Sequence, residues 1–537
     1  MPCDLPSYNL ANRPSPLVNG QGHMTVDKAR TFNSIYSSIV GTDQSEFSAA
    51  TKIDGDLIDE PPMLAMSPFY MDFVRMGLIT ISKGSLASLL GRTATLADGS
   101  KITDIAAVVL ATGFDPSPSI SFLPKSVLDT LSHSASHPNL PLALGFHGTH
   151  HPSLPTLGFV GFYRSPYWGV MEMQARLIER IWSAASSSTA LSPALQQAFE
   201  TDGSLRGTLA LREEPQRVSQ FPMGDYPFLM QEFGRALDIP ISPPLGPTPP
   251  LANGKSMDIL TPARYSVAKE DSRAEEVAKN LASTHATAIT GLRDARFVAG
   301  AVFRSLLGEW RLERDITSRL PSHPSGRFIG TARFLLREGT ADGRPASTTN
   351  PTNTCPLTSA TEQQPENGQN KEDGGKDQDL GLEYLYIEDG EFTAAGPGGM
   401  RFRATRRYVY RYDEGRDALS AWFVRVDDAA RADYLFHELE FAVPSSEAVD
   451  PSAVASEAGR VPSGSGGGPP PSTERRGGGK GPQRGWRARA SHLCVEDLYD
   501  VHYEFNFRAV NLRDWSLGYT VKGPKKDYSI QGVYTRP

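Results

Sequence analysis

Beyond residue 308 the chain alternates apolar and polar positions with a period of two. Trp310, Leu312 and Ile316 alternate with Glu309, Arg311 and Asp315, and Phe328, Gly330, Ala332, Phe334 and Leu336 alternate with Arg327, Thr331, Arg333 and Arg337. Phe402, Ala404, Tyr408, Tyr410 and Tyr412 do the same against Arg401, Arg403, Arg407 and Arg411. Trp422, Val424 and Val426 continue the series, then Leu435, His437, Leu439 and Phe441, then Tyr499, Val501, Tyr503, Phe505 and Phe507, and finally Tyr528, Ile530, Gly532 and Tyr534. Successive side chains of a strand point to opposite faces, so this pattern predicts an antiparallel sheet with one wet side. Roughly eight to ten such strands would leave exposed edges unless the sheet closed, and a barrel is the simplest closure. Helical spacing over Ala274–Leu281 and Gly291–Leu307 predicts helices ahead of it.

The first half is patterned differently. Ala106–Phe114 (Ala-Ala-Val-Val-Leu-Ala-Thr-Gly-Phe) is an apolar run without helical spacing, between Asp104 and Asp115-Pro116, and reads as a buried strand. It ends on small residues, which let a backbone or flat ligand approach closely. Upstream, Met24–Val40 and Pro68–Gly77 read as helices, Leu78–Gly84 as a strand, and Thr93–Ile102 as a hairpin with an Asp98-Gly99 turn. The predicted organisation is a mixed segment over 1–60, an α/β segment over 61–239, a Pro-rich linker over 240–263, and a helix plus barrel over 264–537. Residues 340–380 and 444–485 are rich in Gly, Pro, Ser, Asn and charge, and read as disordered inserts in hairpin loops.

The order helix, strand, Asp-Gly hairpin and Ala-Thr-Gly strand resembles flavin-containing and Baeyer–Villiger-type monooxygenases. Further matches are Leu157–Tyr163 to a glycine-bearing strand, Glu172-Met173-Gln174-Ala175-Arg176 to a helix near the flavin, and Asp225–Met230 with Gly234–Ile239 to a closing helix. The resemblance implies a partial Rossmann-like segment binding FAD and NADPH, with Thr112, Gly113, Gly161, Gln174 and Arg176 as cofactor-positioning residues. The family's Gly-x-Gly-x-x-Gly turns, which seat the pyrophosphates at helix N-termini, have no counterpart here. Gly20-Gln21-Gly22 follows no predicted strand, and Gly464, Gly466, Gly468 and Gly477–Gly481 lie in low-complexity sequence. No independent monooxygenase turnover is therefore expected, no catalytic base is identifiable, and neither FAD nor NADPH is expected to be held by the chain as it stands. Either coding sequence upstream of Met1 completes an oxidoreductase, or the first half is scaffold.

Gly308-Glu309-Trp310 after a helix resembles the opening of calycins (lipocalins and their relatives), where an arginine on the last strand covers the tryptophan. Arg536 has the matching parity. The unit also resembles an uncharacterised domain family found alone or behind monooxygenase-like segments, on Trp310, Tyr408, His492-Leu493-Cys494 with Asp497 and Tyr499, and Lys522–Tyr528. That resemblance brings no chemistry with it.

Composition narrows the partners. The 537 residues include 49 Gly, 42 Pro and 3 Cys, with a net charge of −7. An acidic chain gives no general reason to expect nucleic acid or an anionic membrane, and the Arg401–Arg416 run reads more simply as a solvated strand face. Widely spaced cysteines argue against a disulfide framework. No signal peptide or bilayer-length apolar run is visible, so a cytoplasmic location is the expectation. Among candidate sites, Trp310, Tyr408, His437, His492, Cys494, Tyr499 and Arg536 form an inward set suited to a small hydrophobic or aromatic ligand, since a small barrel either fills with side chains or holds one ligand. A metal at His437, His492 and Cys494, or at His147, His150 and His151, lacks an evident full ligand set, and core or loop histidines are the plainer reading. Two functions stay open: a flavin monooxygenase-like oxidoreductase fragment fused to a ligand-binding barrel, or a non-enzymatic binding protein.

Overall fold

The computed structural model describes residues 7–67, 69–163, 168–246, 256–266, 273–320, 324–340, 382–396, 398–443, 485–494 and 496–537. They fall into two compact units, one drawn chiefly from the chain up to Phe297 and one beginning at Val298. Nearly all of the inserts expected at 340–380 and 444–485, part of the Pro-rich stretch, and Cys3 and Cys355 lie outside the described residues.

In the first unit, α1 (Val26–Val40) starts on Thr25, whose hydroxyl accepts from the Lys28 amide, and stops at Gly41 in the left-handed region (φ 82°). A short helix over Tyr70–Arg75 ends before Gly77. Strands β1 (Leu86–Leu90), β2 (Thr93–Leu96) and β3 (Lys101–Ile102) form an antiparallel three-stranded sheet. The β2–β3 turn is set by Asp98, which accepts from the Ser100 amide at 2.9 Å. Four helices follow: α2 (Trp168–Ser186), α3 (Pro193–Glu200), α4 (Ser204–Glu213) and α5 (Tyr226–Ala236). Val170, Met173 and Leu177 of α2 meet Tyr226, Met230 and Phe233 of α5 in one core, the i, i+3/i+4 spacing that puts each set on one helix face. Helix α6 (Ala274–Arg293) places Ala288 against Met257.

Three expectations for this unit are corrected. Ala106–Phe114 is not a strand: it is irregular and its side chains are exposed, Val109 at 86% and Leu110 at 84%. A buried strand needs partners on both edges, and among the described residues the sheet stops at β3. Leu78–Gly84 is irregular as well, and Leu157–Tyr163 contributes only an isolated bridge between His150 and Gly158. The Rossmann-like parallel sheet is thus not formed among the described residues.

The second unit opens with α7 (Val298–Leu306) and continues as β4 (Gly308–Ser318), β5 (Gly326–Glu338), β6 (Leu382–Ala394), β7 (Arg401–Asp413), β8 (Ala418–Val424), β9 (Ala432–Ala442), β10 (Trp486–Cys494), β11 (Asp497–Arg508), β12 (Asn511–Lys522) and β13 (Asp527–Thr535). These ten strands close into one antiparallel barrel in which β13 pairs with β4 and β9 with β10. Even-numbered residues of β4 to β7 face inward, as the alternation predicts. Gly330 and Gly390 face each other across β5 and β6, and a Cβ on Gly330 would meet the Asp389 carbonyl oxygen at 2.3 Å, so this close approach requires glycine.

One part of the alternation is corrected. The β8–β9 register shifts on either side of Trp422. β8 pairs regularly with β7, Phe423 opposite Tyr408 and Ala421 opposite Tyr410, so Leu419, Ala421 and Phe423 are its inward residues, while Trp422 packs outside with Val409, Leu385 and Val424 under the Arg411 guanidinium. On β9 the same irregularity turns Phe436 inward and leaves Leu435 exposed.

Helix α7 is fastened to the barrel by Arg536. Its guanidinium lies 3.8 Å from the Trp310 ring centre and donates to the carbonyls of Leu307 at 2.8 Å and Ser305 at 2.7 Å. Trp310 in turn donates through Nε1 to the Leu306 carbonyl at 2.8 Å. Arg536→Ala is expected to destabilise the barrel by about 2 kcal/mol, the sum of a desolvated cation–π contact and two charge-assisted hydrogen bonds less screening. Arg536→Lys should recover under half of it, because an ammonium cannot span both carbonyls from above the ring. Denaturant midpoints followed by near-ultraviolet circular dichroism check both.

Candidate functional site

The two ends of the barrel differ. At the end bearing α7, Trp310, Phe334, Tyr384, Phe505, Trp515 and Tyr534 are fully buried, and the Trp515 and Tyr534 rings stack with centres 3.5 Å apart. This half is packed as a core. Trp310 and Arg536, two of the residues expected at a ligand site, belong to this filled end, where their contacts are structural.

Across the middle lies a charged layer. Arg314 of β4 forms a two-pronged ion pair with Glu388 of β6, Nη1 to Oε2 at 2.7 Å and Nη2 to Oε1 at 2.5 Å, with both side chains at least nine-tenths buried. The Tyr386 hydroxyl donates to Glu388 Oε1 at 2.6 Å, and Arg314 donates to the Tyr534 hydroxyl at 3.0 Å. Burial by itself would raise the Glu388 carboxyl, but Arg314 and the Tyr386 hydroxyl outweigh it and hold it below the usual range. Burial pushes the Tyr386 hydroxyl far up, with the Glu388 charge adding to it, so it stays a donor.

Beyond this layer several inward residues keep accessible surface. Arg406 of β7 has inward parity and lies opposite Glu388 in register. Its charge lies among Tyr408, Arg314, Glu388 and Tyr528. It nevertheless keeps accessible surface. Tyr408 and Tyr519 are likewise enclosed yet partly accessible. A group that is both hemmed in and accessible lines a hollow; Arg403, three residues away on the outer face, is simply exposed at 79% and pairs with Asp389. Tyr408, Phe436 and Tyr519 stack in series, with ring centres 5.8 and 6.1 Å apart and planes within 17°. His492 and Tyr499 flank Phe436 toward the rim. At the mouth, Lys526 donates to the Tyr499 hydroxyl at 2.7 Å and lies 4.0 Å from Asp497, which also accepts from the Lys525 amide. Cys494, at the end of β10, is a half-buried free thiol.

His437 sits between the two halves. Its Nε2 is 2.7 Å from the Tyr503 hydroxyl, and its buried Nδ1 has no partner among the described residues. Burial, with a smaller push from His492, drives its imidazole down to about 3, so it is neutral in the fold. The structure thus gathers Tyr408, His492, Cys494 and Tyr499 in the open half and places His437 at its boundary with the filled one. Sequence reading passed over Arg314, Glu388 and Arg406; their signal was a charge at an inward-parity position in an otherwise apolar series.

The residues expected to position a flavin have structural occupations. Gln174 Oε1 accepts from the Gly161 amide at 2.9 Å, tying α2 to its preceding loop. Arg176 donates to the Tyr265 carbonyl at 3.0 Å and pairs with Glu172 at 2.5 Å. Thr112 and Gly113 lie in the exposed irregular segment. The first unit also has a groove of about 600 Å³ lined by His147, Asp202, Phe228, Glu232 and Arg235. Its charges are satisfied internally: Glu232 lies 3.9 Å from His147 and 2.8 Å from Arg235, and Asp202 accepts from the Phe146 and Ser204 amides. Among the described residues no three His, Cys, Asp or Glu side chains converge as a metal site, and no helix is long and apolar enough to cross a membrane.

These features define a closed ten-stranded antiparallel barrel, packed solid at one end and with partly accessible inward residues at the other, consistent with a calycin-like fold. Residues 306–455 and 479–536 match the model of a family of unknown function, DUF6314. That match lies wholly outside residues 61–239 and gives no support to the flavin resemblance. No curated protein matches the chain. Among solved structures, the S-type phycobiliprotein lyase CPES from Guillardia theta aligns at 9% identity and a TM-score of 0.21, covering 44% of this chain and 92% of that one, a likeness too slight to argue from.

Breaking the central ion pair from one side leaves a buried unpaired charge. Glu388→Gln is expected to cost about 3–5 kcal/mol, and Arg314→Met with Glu388→Met together much less than either change alone; a double-mutant cycle of unfolding free energies measures this. For His437 the folded value of about 3 lies below the ordinary 6.5. The unfolded chain therefore takes up the proton first on acidification. The stabilisation is complete above about pH 6.5 and is lost as the pH falls toward 3. His437→Gln should flatten that limb of the stability–pH profile, and an unchanged limb would show that His437 is protonated in the fold.

Proposed function

We propose that the barrel is a binding module for a small, flat, largely apolar molecule, held in the half between the Arg314–Glu388 layer and the Lys522–Asp527 turn. The observation that carries this reading is the accessible surface retained by Arg406, Tyr408 and Tyr519 although protein surrounds them. Rings on strands that pair on both sides are held in place before any ligand arrives, which lowers the ordering cost of binding. Polar tips at Tyr408, Tyr499 and Tyr519 supply orientation without charge.

The same groups do not make a catalytic set. The neutral His437 imidazole is in the wall, engaged by Tyr503, and buried tyrosines whose ionisation is pushed up cannot serve as bases. Binding is thus the function the geometry supports. The oxidoreductase reading would need a dinucleotide cradle that the Gly161–Gln174 and Arg176–Tyr265 contacts do not provide.

The neutral fluorophore N-phenyl-1-naphthylamine tests the reading on the full-length chain. It should bind with one-to-one stoichiometry and a blue-shifted emission. Ala404→Trp, which projects a bulky ring inward, should weaken binding at least tenfold, while Thr405→Trp, one residue along on the outer face, should leave it within twofold. Failure to bind, or equal effects of the two substitutions, would contradict a site inside the barrel.

A further inference from the structure

We propose that the ligand of the barrel is an aromatic anion, a flat molecule bearing a carboxylate or sulfonate, whose charge is met by the Arg406 guanidinium. This rests on the reading of the barrel as a binding site and adds the chemistry that selects its occupant.

Charges on the inward face do not balance one another. Glu388 is the nearest carboxylate to Arg406 in register, but both its oxygens are engaged: Oε2 by Arg314 Nη1, and Oε1 by Arg314 Nη2 and the Tyr386 hydroxyl. The Arg314–Glu388 pair is therefore electrically closed. At the rim, Asp497 is shared between Lys526 and the Lys525 amide. Among the described residues Arg406 has no carboxylate within ion-pairing distance, whereas on the outer face of the same strand Arg401, Arg403 and Arg411 pair with Glu391, Asp389 and Glu383. One strand thus matches three of its outward arginines; the fourth, Arg407, has no carboxylate partner among the described residues either but stands exposed on the outer face, whereas the unmatched Arg406 points inward.

An unmatched guanidinium in an enclosed, aromatic-walled space is costly, and removing water from it would cost more. A neutral apolar ligand would do that without compensation. An anionic one would supply the missing charge in surroundings where such a contact is stronger than in water. The Tyr408–Phe436–Tyr519 stack offers parallel ring faces to a planar body, with tyrosine hydroxyls that remain protonated donors. Lys526 at the mouth adds positive charge along the approach, which raises the encounter rate of anions.

A matched pair of probes separates this claim from the one beneath it. 8-Anilino-1-naphthalenesulfonate and N-phenyl-1-naphthylamine share a ring skeleton and differ by the sulfonate. The full-length chain is expected to bind the sulfonate at least tenfold tighter. Arg406→Gln should erase that preference, weakening the sulfonate about tenfold while the neutral probe, relieved of desolvating the guanidinium, binds at least as tightly as before, and Arg406→Lys should keep most of it. Ala404→Trp should displace both probes, and sulfonate binding that survives it reports another surface and counts against the proposal. Equal affinity of the wild-type chain for the two probes would overturn the anion claim while leaving the binding module intact. Absence of binding by either would overturn both. Because the wild-type ratio alone decides the charge preference, the proposal stays testable if Arg406→Gln fails to fold.

Discussion

The ion pair between Arg314 and Glu388 is the constraint on which the barrel's two halves turn. A closed sheet of this size can fill completely or keep a hollow, and packing alone favours filling. Two ionised side chains in mid-barrel, held by each other and by Tyr386 and Tyr534, interrupt the apolar packing of the interior. On one side of it the tryptophans and tyrosines interlock under α7. On the other, rings stack against the wall and Arg406 keeps its exposure. Such a pair is weak evidence for added stability, since an apolar replacement of the same volume often does as well. Its consequence here is the division of the interior.

That division sorts the inward residues by what they do. Trp310 and Arg536 lock helix to strand and leave no room for a ligand. Tyr408, Phe436, Tyr519, His492 and Tyr499 form a wall with polar tips. Arg406 is the one inward cation, among the described residues of the open half, that the chain does not neutralise with a carboxylate of its own. The binding role proposed for the barrel rests on this wall and this cation.

Much of the barrel was legible from alternation alone. A period of two survives strand by strand wherever one face is buried, and closure follows from the need to satisfy edges. Two things hid parts of it. Inward charges interrupt an apolar series, so Arg314, Glu388 and Arg406 were passed over although their parity was right. A register irregularity changes parity within β9, which no fixed period can register, so Leu435 was placed on the wrong face; on β8 the outward Trp422 is itself apolar, packed under Arg411, and so was read as inward. In the first unit the error runs the other way. Ala106–Phe114 has the composition of a buried strand, but composition cannot supply the neighbours that bury it. The Gly161, Gln174 and Arg176 matches are real as residues, and local hydrogen bonds account for each of them.

The central claim is that Arg406 lines a hollow without a carboxylate partner, and electron density in a crystal structure of the full-length chain tests it most directly. Ordered solvent or a bound molecule is expected between Arg406, Tyr408 and Tyr519, with an anionic group or water on the guanidinium. Density showing that space filled by protein side chains, or Arg406 paired with Glu388 or another carboxylate of the chain, would contradict it.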